Sequence, residues 1–137
     1  MKEFMLILHS SEDLMEMLSF SEKKEFLHKV QNYIENLKNE GKLKSAQPLE
    51  RQGRVISGTM GAIKDEPLPK SKEVIIGYYH ILANDVYEAI DIARRNPEFE
   101  FGKTTRIEIR PIKMKEELID YVYPWSKPVN QDEKHLV

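Results

Sequence analysis

The sequence predicts an α+β domain in which two helices cover one face of a single antiparallel sheet. Three observations carry that prediction. Two segments alternate like strands yet are apolar on both faces, two amphipathic stretches carry helix caps, and a strand–helix–strand order occurs twice with hairpin-type segments between the copies.

Glu3 to His9 sets Phe4, Leu6 and Leu8 on one face and Met5 and Ile7 on the other, so cover is expected on both sides. Ser10 to Phe20 reads as a connection whose methionines and Leu14 rest against the body. Ser21 is placed to cap the first helix, with Glu22 in its first turn. Phe26, Leu27, Val30, Tyr33, Ile34 and Leu37 recur at helical spacing, and Gly41 ends the run. Leu43 to Arg54 is an edge segment interrupted by Pro48, which cannot donate to a ladder. Arg54 to Ser57 and Met60 to Lys64 flank Gly58-Thr59 as a hairpin, and Asp65 to Glu73 is a charged, Pro-rich loop.

Val74 to Leu82 is the second strand that is apolar on both faces. Asn84 is placed to cap the second helix, with Asp85 and Glu88 where the helix dipole favours negative charge. Val86, Ala89, Ile90 and Ala93 form its inner stripe, and Asn96 with Pro97 closes it. Arg106 to Ile112 turns Ile107 and Ile109 inward and Arg106, Glu108 and Arg110 the other way. From Lys113 the pattern predicts an extension, a short helix to Tyr121 and then Tyr123-Pro124-Trp125 with a polar tail.

This is the split βαβ, ferredoxin-like order. Its two helices leave one apolar sheet face open, a liability in a monomer. The expected remedy is a homodimer that packs face to face as a dimeric α+β barrel, since most homo-oligomers are twofold symmetric. The expected division is a domain over residues 1–113 and an extension over 114–137.

Composition narrows the function classes. A chain of 137 residues with 40% hydrophobic and 32% charged residues fits one ordinary globular domain. A net charge of −2, with both signs interspersed, supplies no footprint for nucleic acid and no polybasic segment for a membrane. The absence of cysteine excludes disulfides, thiolate metal sites and cysteine nucleophiles. The apolar run within Met1 to His9 is short for a signal peptide and lacks a small-residue cleavage site, and no apolar run approaches the roughly 20 residues of a membrane span, so neither is expected. A cytoplasmic location is the expectation.

Candidate chemistry rests on scattered polar residues. His80 and His9 are candidate acid–base groups, because imidazole ordinarily titrates at about pH 6.5; the other reading of each, and the more ordinary one, is a histidine satisfied in the core. Asp65, Lys72 and Glu73 either cluster at the mouth of a dimer cavity or simply build a solvated turn. Glu108 and Arg110 either face a cavity, where the guanidinium can fork around a carboxylate, or decorate an edge. Tyr78, with Tyr33 and Tyr79, either lines a pocket or fills the core. The histidines lack metal-ligand spacing, and the glycines lack the Lys-Ser/Thr of a phosphate loop, so neither metal nor cofactor is expected.

Asp65-Glu66-Pro67-Leu68 with Lys72-Glu73 resembles the Asp-Gly-Pro-Phe … Lys-Glu signature of the YCII-related, or DGPF-domain, family. Gly77-Tyr78-Tyr79, Glu88-Ala89-Ile90, Ala93, Pro97 and Ile107 through Ile112 continue the resemblance in register. Lys2 through Ile7, Gly41-Lys42-Leu43 and Pro48-Leu49 extend it to the first half, so that it covers about residues 1 to 113. The resemblance implies a dimeric ferredoxin-like fold with a cavity between paired sheets and no settled activity. It also implies a His–Asp dyad in some members. The position expected for that histidine is Val30 here, and His28 lies two residues earlier on the helix. Glu66 and Leu68 replace the signature glycine and phenylalanine.

Two functional readings stand. One is a small-molecule-binding or regulatory homodimer. The other is a cofactor-independent lyase, isomerase or monooxygenase using a histidine beside a carboxylate.

Overall fold

The computed structural model describes residues 1–69 and 72–124. In chain order the elements are β1 (Lys2–Ser10), α1 (Leu14–Met17), α2 (Phe20–Asn39), β2 (Leu43–Pro48), β3 (Arg54–Thr59), β4 (Ala62–Pro67), β5 (Val74–Ala83), α3 (Val86–Arg94), α4 (Glu98–Phe101), β6 (Arg106–Pro111), β7 (Lys115–Glu116) and β8 (Tyr121–Val122). The chain is α+β, and its main sheet is antiparallel throughout, in the spatial order β2-β5-β1-β6. The two doubly apolar strands, β1 and β5, lie at its centre. Pro48 sits on the edge strand, where a missing donor costs least.

Both long helices lie on one face. Phe4, Leu6 and Leu8 of β1 and Tyr79, Ile81 and Ala83 of β5 form one buried cluster with Tyr33 and Leu37 of α2 and Ala89, Ile92 and Ala93 of α3. Fully burying a leucine or isoleucine such as Leu6 or Ile92 stabilises the fold by about 1.5–3 kcal/mol. On α3 the inner stripe runs through Ile92, while Val86 is exposed. The Tyr33 hydroxyl donates to the Ile92 carbonyl at 2.6 Å, tying α2 to α3.

The helix starts differ from the expected ones by one or two residues. Ser19 caps α2 in place of Ser21, because only Ser19 has Glu22 at the capping-box spacing: its hydroxyl accepts from Glu22 N, and the Glu22 carboxylate accepts from Ser19 N. Asp85 caps α3 in place of Asn84, whose side-chain amide donates to Glu88 instead. Gly41 ends α2 with φ 71°, as its lack of a Cβ allows, and Lys42 N donates back to the Leu37 carbonyl.

The largest departure is the hairpin. Its turn falls at Met60-Gly61, not Gly58-Thr59, and β4 runs on through Asp65, Glu66 and Pro67, which the sequence reading places in a loop. Gly58 has φ 114°, and a Cβ there would lie 2.2 Å from the Ala62 carbonyl oxygen, so this strand position excludes any side chain. Every residue of both strands is exposed, including Val55, Ile56, Ile63 and, at the tip, Met60. Gly58→Ala is expected to speed amide hydrogen exchange across residues 54–67 by about tenfold or more while β1 and β5 keep their protection. Unchanged exchange in the hairpin would contradict this account of its geometry.

The expected helix after Lys113 is instead the β7–β8 ladder, closed by a 3-10 turn over Glu117–Ile119 and by Asp120 at φ 50°. Trp125 and His135 lie outside the described residues. No helix among those described is long and apolar enough to cross a membrane.

Candidate functional site

Alternation along β1 sends Glu3, Met5, Ile7 and His9 to the sheet face away from the helices. Strand pairing adds the rest of that face. Tyr78 and His80 of β5 lie opposite Ile7 and Met5, while Arg106, Glu108 and Arg110 of β6 lie opposite His9, Ile7 and Met5. The face has an apolar centre, Met5 and Ile7 on β1, flanked by His80 of β5 and by Glu108 and Arg110 of β6.

At one end, His9 Nε2 lies 2.9 Å from a Glu108 carboxylate oxygen, and His9 Nδ1 lies 3.6 Å from Glu73. A register shift between Leu8 and His9 marks this point of β1; such irregularities re-aim side chains near functional sites. Arg106 clasps Glu73 with two donors, Nη2 at 2.6 Å and Nε at 3.2 Å. Arg110 Nη1 donates to Glu108 at 3.0 Å, and its other donors have no protein partner among the described residues. These contacts set the charge states. The Arg106 guanidinium holds the Glu73 carboxyl below its ordinary value, and Arg110, followed by His9, does the same for Glu108. His9 is thus flanked by two carboxylates that stay ionised at neutral pH.

At the other end, His80 Nε2 lies 2.7 Å from a Glu3 carboxylate oxygen, which also takes Lys44 Nζ at 2.9 Å. Burial opposes ionisation of Glu3, but Lys44 and His80 outweigh it and hold the carboxyl low. The two histidines stand four residues apart along β1, about 13 Å at the usual strand rise. They belong to separate centres on one face.

The structure therefore gathers His9, His80, Tyr78, Glu73, Glu108 and Arg110 on one surface. Asp65 is not among them. It pairs with Ile56 in the exposed hairpin, and its carboxylate accepts from Arg54 Nε at 2.9 Å, so it reaches neither histidine. Lys72 is exposed in the segment before β5. Tyr33 and Tyr79 are core residues in edge-to-face contact at 5.5 Å; burial pushes both hydroxyls up, Tyr79 to about 12. His28 is exposed, and Val30 occupies the helix position at which the resemblance implies a histidine. No group of three or more metal-ligating side chains converges among the described residues. Glu3 and Lys44 are the site residues that sequence reasoning missed. Glu3 lies one strand position outside the apolar run that made β1 legible.

Fold and face together define a small α+β protein whose main sheet exposes two histidine–carboxylate centres beside an open arginine. The chain belongs to the YCII-related domain family, whose model matches residues 2–113. Among curated proteins none matches it.

Proposed function

We propose that this protein is a ferredoxin-like homodimer, its residues 114–137 an extension of the domain, that binds a small carboxylate-bearing molecule between two apposed sheets. The observation that carries the reading is Arg110, which spends one nitrogen on Glu108 and keeps donors free beside His9. A guanidinium presented in this way suits a carboxylate, and Tyr78 supplies an amphipathic wall two strands away. The dimer is supported by the half-buried Met5, Ile7, Tyr78 and Leu82 on the open face and by Ile75, which is exposed there. The hairpin, whose apolar side chains stay exposed in their own subunit, is a suitable arm around the second copy.

Titration with benzoate and small aliphatic carboxylates, followed by backbone amide shifts, tests the proposal. Shifts are expected at His9, Glu108 and Arg110, and Arg110→Leu is expected to weaken binding by about tenfold or more, the worth of a charge-assisted hydrogen bond. Binding that is indifferent to Arg110 would rule this site out.

One observation favours the enzyme reading in second place. The 2.9 Å contact orients His9 through Glu108 as a general base is oriented, with Glu73 available to steady the protonated ring. His9→Gln would then abolish turnover while leaving carboxylate binding within about threefold of the original.

A further inference from the structure

A cavity of about 140 Å³ lies on the helix-covered side of the sheet, away from the histidine face. Its walls are apolar, with Leu8 and Ile76 from the sheet, Phe26 and Ile34 from α2, and the Tyr79 ring. Into it α4 projects one ionisable side chain, Glu98. The main chain around Glu98 is fixed: its N–H donates to Asn96 Oδ1 at 2.9 Å, and its carbonyl accepts from Gly102 N at 2.9 Å. Glu98 Oε2, by contrast, is buried and has no hydrogen-bond partner among the described residues. A buried carboxyl oxygen without a protein partner beside an apolar cavity is unusual enough to require an explanation.

We propose that this cavity binds a small primary amine with an apolar body of about six carbons, its ammonium group donating to Glu98. The volume sets the size, being close to that of a cavity of about 150 Å³ known to admit benzene. The chemistry sets the head group. The walls offer no cation to balance a carboxylate, and Lys29 of α2, outside the lining, is committed to Glu25 and Glu100. Tyr79 is the titratable group that faces Glu98, and it stays neutral well above physiological pH. Burial alone pushes the Glu98 carboxyl up to about 7, so a ligand that brings its own positive charge selects the ionised form.

Cyclohexylamine and cyclohexanol share one ring and differ in the head group, which makes them the probes. Methyl shifts of Leu8, Ile34 and Ile76 report binding to the full chain. The ionised fraction of Glu98 rises from about 3% near pH 5.5 to about 97% near pH 8.5, so the amine is expected to bind on the order of thirtyfold more tightly at the higher pH. Glu98→Gln is expected to erase that dependence, and in the wild type cyclohexylamine is expected to lower the midpoint at which the Glu98 carboxyl carbon titrates. Three results would overturn the proposal. They are equal amine affinity at the two pH values, cyclohexanol binding as tightly as the amine at about pH 8.5, or no methyl shift at tens of millimolar amine.

Discussion

Glu98→Gln is expected to stabilise the protein at alkaline pH and to flatten its stability profile between about pH 4.5 and pH 7. The sign follows from the direction of the shift. Burial raises the Glu98 carboxyl from 4.5 to about 7, so the folded chain holds a proton that the unfolded chain releases. Stability from this group is complete below about pH 4.5 and is lost as pH rises through about 7. A rise of that size corresponds to about 3 kcal/mol before any allowance for solvent. Because the residue is only partly buried, about 2 kcal/mol is the expected observable loss. Glutamine keeps the shape and cannot ionise, so denaturant unfolding of the variant is expected to give nearly the same stability at about pH 5 and about pH 8. Wild-type stability that is flat across that window would show that Glu98 is solvated in the folded chain.

The acid limb has a different origin. Glu73 and Glu108 are held below their ordinary range by Arg106 and Arg110, and Glu12 by the backbone amide of Lys103. Their contributions are present above about pH 4.5 and fade as pH falls through their lowered values. Glu98 and these carboxylates therefore pull in opposite directions on either side of about pH 4.5. Maximum stability is expected on the acid side of neutrality.

The parts of this molecule that were legible in its sequence are those governed by short periods. Alternation in β1 and β5 and the apolar stripe of α2 need only local side-chain geometry, so the strands, the long helices and the open face could be read directly. The caps slipped because Ser19 and Ser21, or Asn84 and Asp85, are chemically near-equivalent, and the choice turns on which residue lies three before a glutamate. The hairpin turn slipped because Gly58 and Gly61 both adopt positive φ and only one of them sits in the turn. Site geometry is a matter of register between distant segments. Glu108 meets His9 only because β6 pairs with β1 so that Arg106 falls opposite His9 and Glu108 opposite Ile7. Lys44 reaches Glu3 only across the intervening strand β5. Nothing local marks Glu98, which opens a four-residue helix too short to show a stripe.

Ile7→Asp is expected to convert the proposed dimer to a monomer. Ile7 is half-buried in the single chain and lies opposite Tyr78 on one side and Glu108 on the other, at the middle of the open face. In a lone subunit an aspartate there meets water and costs little. In a twofold dimer that joins these faces, it carries an unpaired carboxylate into the interface and sets a second one, from the partner, near it. An uncompensated buried charge costs about 3–5 kcal/mol, which raises the dissociation constant by roughly 150- to 5,000-fold. Sedimentation velocity across a concentration series reads the effect directly. Lys38→Glu, on the last turn of α2 and away from the open face, serves as the control and is expected to leave the wild-type mass unchanged. Circular dichroism of both variants separates dissociation from misfolding. A wild-type chain that sediments as a monomer at micromolar concentration, or an Ile7→Asp chain that remains dimeric, would remove the paired-sheet cavity. His9 and Arg110 would then stand on an ordinary solvent-facing surface, and Arg110 would have to hold a carboxylate in open water, where an exposed ion pair is worth no more than about 1 kcal/mol.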